Sequence, residues 1–155
     1  MANNEELRWL QRMEHMERAY AQLSSACERQ SYSDLELAGL VQTFQFTFDL
    51  AWKTLRDLLI YEGYEANSPR EALQRAFEAG ILQQIDLWLQ ALASRNQLSH
   101  TYDRKTAAEA QRLIQTGYWP MLAQLVETLR QRKPQADALR LPRRGFFPPV
   151  RGGSV

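Results

Sequence analysis

The chain has 155 residues, 45% of them apolar and 24% charged, which fits one globular domain with a core of its own and excludes global disorder. Cys27 is the only cysteine, so an intrachain disulfide and a Cys/His zinc cluster are both excluded, and a reducing, cytoplasmic setting without metal or other cofactor is expected. The net charge of +1 hides a division: residues 131–155 carry six basic residues and one acidic, while residues 1–130 carry thirteen basic and seventeen acidic.

The body is therefore not a generic binder of polyanions, and an RNA contact there needs a local cluster of cations. The start, Met1 to Glu6, is polar and acidic, and no run of about eighteen apolar residues follows, so neither export nor a membrane span is expected.

From residue 5 to about 29, Leu7, Leu10, Met13, Met16, Tyr20 and Leu23 recur at spacings of three and four, the period of a helix with one buried face. Ser31 and Ser33-Asp34 then offer turn and N-cap chemistry. They precede a long second stripe, Leu37, Leu40, Val41, Phe44, Phe48, Ala51, Leu55, Leu58 and Leu59. Phe46, Leu50 and Trp52 lie off that stripe and widen the apolar surface, so this helix is expected to touch neighbours on more than one side.

Gly63 ends the second helix. Ser68-Pro69-Arg70-Glu71 supplies a capping serine, a proline at the first helical position and a glutamate three residues after the cap, which starts a short third helix with Gly80 past its end. A fourth begins near Ile85 or Asp86 and buries Trp88, Leu89 and Leu92. Thr106-Ala-Ala-Glu109 repeats the capping pattern, so a fifth helix is expected there after a connector from about His100 to Lys105. Its stripe runs through Leu113, Ile114, Tyr118, Met121, Leu122, Leu125 and Leu129, with a kink near Pro120, whose nitrogen has no hydrogen to donate. Four of six prolines and three of seven glycines fall from Pro134 onward, where a tail without packing is expected. The expected architecture is an all-α, up-and-down bundle of about five helices over residues 1–130, followed by a basic tail over 131–155.

The chemistry concentrates in Arg95-Asn96-Gln97-Leu98-Ser99-His100-Thr101-Tyr102. The buried stripe of the fourth helix, Trp88 then Leu92, points by the helical step to Arg95. A guanidinium there needs a partner. It is either a structural ion pair with Asp49 or Glu62 on a neighbouring helix, or a fork waiting for a phosphate. His100 alone reads as a helix-end cap. Together, an arginine that stabilises charge on phosphorus and a histidine that moves protons near neutral pH can cleave RNA through its own 2′-hydroxyl. Arg104 and Lys105 adjoin the motif and could meet phosphates, although two charges on a connector are usually just solvated.

Arg95-x4-His100 resembles the Arg-x4-His signature of HEPN domains, and with Tyr102 the Arg-x4-His-x-Tyr motif of HepT toxins. More widely, Phe44-x-Phe46-Thr47-Phe48-Asp49-Leu50-Ala51-Trp52-Lys53-Thr54-Leu55, Glu62-Gly63, Ser68-Pro69-Arg70-Glu71, Ala76-Phe77-x-Ala79-Gly80 and Arg95-Asn96-x-x-Ser99-His100-Thr101-Tyr102-Asp103 resemble, in order, the nucleotidyltransferase substrate-binding proteins. The likeness covers roughly residues 5–130 and leaves the tail without a counterpart.

The resemblance implies two functions. One is a metal-independent endoribonuclease toxin, with Arg95 and His100 as catalytic pair, Asn96 as polar support and Tyr102 as the residue nucleotidylated by a separate minimal nucleotidyltransferase. The other is a non-catalytic subunit that presents substrate to that partner. It further implies a homodimer with the two motifs facing a shared cleft. For Tyr102 the plain alternative is a partly buried phenol bonding across helices.

Overall fold

The computed structural model describes residues 3–98 and 104–133, and among these every regular element is helical. The order is α1 (Asn4–Cys27), α2 (Asp34–Tyr61), α3 (Pro69–Glu78), α4 (Ile85–Leu98), α5 (Arg104–Leu113), a π-helical turn (Ile114–Tyr118) and α6 (Trp119–Arg132). The tail from Pro134 lies outside the described residues.

Local chemistry sets most boundaries. Ser33 caps α2 by accepting the Glu36 amide hydrogen, and the Glu36 carboxylate accepts from the Ser33 amide in return, a reciprocal box that satisfies two otherwise orphaned donors. Ser68 caps α3 by accepting from the Glu71 amide. Glu71 itself reaches one residue further back than the expected box, to the Asn67 amide. Gly63 and Gly80 lie at φ +97° and +79° and end α2 and α3. In each case the glycine and the following residue return hydrogen bonds to the last turn, Gly63 N–H to Ile60 and Tyr64 N–H to Leu59, Gly80 N–H to Phe77 and Ile81 N–H to Ala76. That closure needs the left-handed backbone that glycine adopts without strain.

Helix α2 is the spine. It runs antiparallel to α1, as Tyr61 to Glu6, Arg12 to Asp57 and Thr47 to the Ala19 carbonyl show. The entire expected stripe of α2, from Leu37 to Leu59, is buried, against Trp9, Met13, Met16 and Leu23 of α1 and the inner faces of the other helices. Leu50 and Trp52 pack on the edge of this core. Phe46 departs from expectation: it is 57% exposed, because no described element covers that side of α2.

Two features differ from the sequence reading. Helix α5 begins at Arg104, so Thr106 lies inside it rather than at its cap, and Glu109 pairs with Arg112 instead of reaching back. The disturbance ahead of Pro120 is a π turn, in which the Trp119 amide bonds to the Ile114 carbonyl five residues back, rather than a simple kink. The extra residue aims two polar side chains across the bundle. Gln115 places its amide nitrogen 3.0 Å from the Cys27 carbonyl and 3.0 Å from the Tyr32 hydroxyl, tying down the α1–α2 connection. Tyr118 buries its ring against Phe44, with centroids 5.2 Å apart and nearly parallel planes.

Helix α6 returns along α1, with Trp119 Nε1 donating to Ser24 Oγ at 2.9 Å and Arg130 to Glu17 at 2.8 Å. It ends at Arg132, which pairs with Glu62.

Candidate functional site

Arg95 sits in the last turn of α4, where carbonyls run out of intrahelical donors and charged side chains meet the helix end. Two residues one turn apart on α2 hold it. The Asp49 carboxylate accepts from Arg95 Nη2 at 2.5 Å, and the Gln45 side-chain amide donates to the Arg95 main-chain carbonyl at 3.3 Å. Within α4, Arg95 Nη1 donates to the Asn96 side-chain oxygen at 3.0 Å.

Of the two partners expected for an ion pair, Asp49 is thus the one that meets Arg95, while Glu62 is engaged by Arg132. The pair is not sealed in the core. The side chains of Arg95 and Asp49 remain 30% and 32% exposed, and a pair so placed is held by no more than about 1 kcal/mol. The guanidinium is thus engaged by Asp49 and Asn96 while part of its side chain remains exposed.

Asn96 is exposed beside Arg95, and Lys105 is exposed in the first turn of α5. His100, Tyr102 and the side chain of Arg104 lie outside the described residues. No group of three or more His, Cys, Asp or Glu residues is placed to hold a metal ion among the described residues.

One supporting contact is not visible from helical period alone. The Tyr118 hydroxyl and Ser94 Oγ are 2.9 Å apart, so the buried tyrosine from the π turn grips α4 one residue before Arg95. Burial raises the Tyr118 phenol above its ordinary value, and the Ser94 hydrogen bond offsets this only in part, so the group stays neutral and acts as a tether. The signal in the sequence was a tyrosine on a buried stripe, whose hydroxyl must find a partner.

The chain as a whole has known relatives. The family described as nucleotidyltransferase substrate binding protein like matches residues 11–131. The chain belongs to that family. A Haemophilus influenzae protein called probable ribonuclease HepT is 28% identical over 109 residues, a span of 64% of this chain and 70% of that one. A crystal structure of a Thermus thermophilus protein matches with a TM-score of 0.65 at 30% identity, covering 76% of this chain and 97% of the other. The HepT-like relationship expected from the motifs thus stands on the sequence comparisons, and the all-α bundle on the fold. No helix among the described residues is long and apolar enough to cross a membrane.

Proposed function

We propose that this family member is the HEPN component of a two-protein toxin–antitoxin system, a metal-independent endoribonuclease of the cytoplasm controlled by a separate minimal nucleotidyltransferase. The observation that carries the reading is Arg95 itself, paired with Asp49 at the end of α4 with its side chain still 30% exposed, as the first residue of Arg-x4-His-x-Tyr. The name of the Haemophilus relative supports it.

In this mechanism His100 takes the proton from the ribose 2′-hydroxyl as it attacks the adjacent phosphorus. Arg95 stabilises the charge that develops on the phosphoryl oxygens, and the P–O5′ bond breaks as the 5′-oxygen takes up a proton from solvent, giving a 2′,3′-cyclic phosphate and a 5′-hydroxyl. Asn96 supports the guanidinium, and Arg104 and Lys105 meet flanking phosphates. Tyr102 is the point of control: an adenylyl group on its phenol puts a phosphodiester anion beside Arg95 and occupies the place of the RNA phosphate. A homodimer brings two motifs to one cleft.

Purified protein without its partner is expected to cut single-stranded RNA in EDTA, and His100→Ala to lose cleavage while keeping its helical content. Co-expression with the nucleotidyltransferase is expected to add adenylyl mass to the Tyr102 peptide. A wild-type protein inert on varied RNAs would end the ribonuclease reading. The second reading, a non-catalytic substrate-binding subunit, is favoured by the family's description and predicts a stable complex with the nucleotidyltransferase and no cleavage.

A further inference from the structure

Asp49 has no role in the chemistry above, yet it pairs with the arginine that does. Its Oδ1 lies 2.5 Å from Arg95 Nη2, and Gln45, one turn earlier on α2, takes the Arg95 carbonyl. Side chain and main chain of the same residue are thus held from one face of one helix. That face belongs to the spine of the fold, so one edge of the guanidinium is held by the described helix that buries the most residues. The holder is also an anion, and it is about as exposed as the group it holds. A phosphate approaching Arg95 therefore meets a carboxylate already in place.

We infer that Asp49 is a positioning residue for Arg95, setting the direction of the guanidinium through its oxygen and restraining the hold on anions through its charge. With Arg95 facing an RNA phosphate, as in the ribonuclease reading, the two roles separate. Orientation acts on turnover, since misplacing a charge-stabilising group by a fraction of an ångström weakens what it does in the transition state. Charge acts on affinity, through a repulsion that solvent and salt screen only in part at this exposure.

The test uses the full chain, a cleavable single-stranded RNA for turnover, and a 2′-O-methyl oligonucleotide of the same sequence, which cannot be cut, for affinity at low ionic strength. Asp49→Asn keeps the oxygen and removes the charge. It is expected to bind about two- to fivefold tighter and to retain most of the wild-type turnover. Asp49→Ala removes both, and is expected to bind tighter as well but to turn over about tenfold more slowly. Asp49→Glu keeps the charge but moves the oxygen by one methylene. It is expected to lose turnover without gaining affinity, and it serves in place of the alanine variant should that fail to fold. The positioning role is overturned if turnover in the alanine and glutamate variants stays within about twofold of wild type. The restraining role is overturned if neither neutral variant binds more tightly. Should wild type not cleave at all, the ribonuclease reading fails and affinity alone decides: tighter binding in Asp49→Asn, abolished by adding Arg95→Ala, upholds the restraint, and unchanged binding overturns it.

Discussion

Asp57 and Asp49 of helix α2 each meet arginine, and the two sites are built to opposite ends. Asp57 is 3% exposed and lies between two guanidiniums, Arg12 of α1 at 3.0 Å and Arg56 of its own helix at 3.1 Å, the latter also over the Trp52 ring. Asp49, two turns earlier, meets Arg95 at the surface, with both partners about one-third exposed. A sealed carboxylate must keep its partners because nothing else can replace them, and its value is in holding α1 to α2. A half-open pair gives up little when a competing anion arrives. The same two side-chain types therefore make a structural pin in one place and a part-exposed pair in the other, and burial is what separates them.

Asp57→Ala should break the pin with the largest effect on stability. Removing one partner of a buried pair costs about 3–5 kcal/mol, and the partial exposure of Arg12 and Arg56 reduces this to roughly 2–3 kcal/mol, a fall in melting temperature of about 5–10 °C for a chain of this size. Calorimetry checks it, and the Cys27 thiol gives a second readout. Burial pushes that thiol up to about 12, so it should resist thiol reagents in the native protein and react sooner in the variant as α1 opens from α2. An unchanged melting temperature would mean that the aromatic and aliphatic packing between the helices suffices without the pin.

A smaller effect is expected where the core meets the motif. Tyr118→Phe keeps the stacking on Phe44 but leaves Ser94 Oγ without its phenol partner, at a cost of about 1 kcal/mol. Because Ser94 precedes Arg95, RNA cleavage should fall in this variant at temperatures where it is fully folded. Loss of stability with cleavage untouched would show that the tether supports the bundle alone.

How much of this was legible in sequence depends on the range of the interaction. The caps at Ser33 and Ser68, the closures at Gly63 and Gly80 and the buried stripe of α2 are all written within a few neighbouring residues, and the helices follow them. Asp57 was not legible, because it sits among Leu55, Leu58 and Leu59 and its partner Arg12 is 45 residues away. The box at Thr106 and Glu109 misled for the converse reason: the local pattern is present, but α5 begins earlier, and Glu109 finds Arg112 one turn on. At the candidate site, an arginine on the buried stripe of α4 announced the need for a partner and left two carboxylates open. Only the packing of α4 on α2 selects Asp49, and only the route of α6 past α2 gives Glu62 to Arg132. Tyr118 shows the same limit, since periodicity buries its ring correctly but the meeting of its hydroxyl with Ser94 depends on the π turn.

The most direct test sets Arg95→Ala beside Arg12→Ala and measures, for each, both the melting temperature and the rate of RNA cleavage per folded molecule in EDTA. Arg95→Ala is expected to lose cleavage by about a hundredfold or more while melting within a few degrees of wild type, and Arg12→Ala to melt early while its folded fraction cleaves at the wild-type rate. Equal loss of stability in both, or cleavage that survives without Arg95, would contradict this expectation.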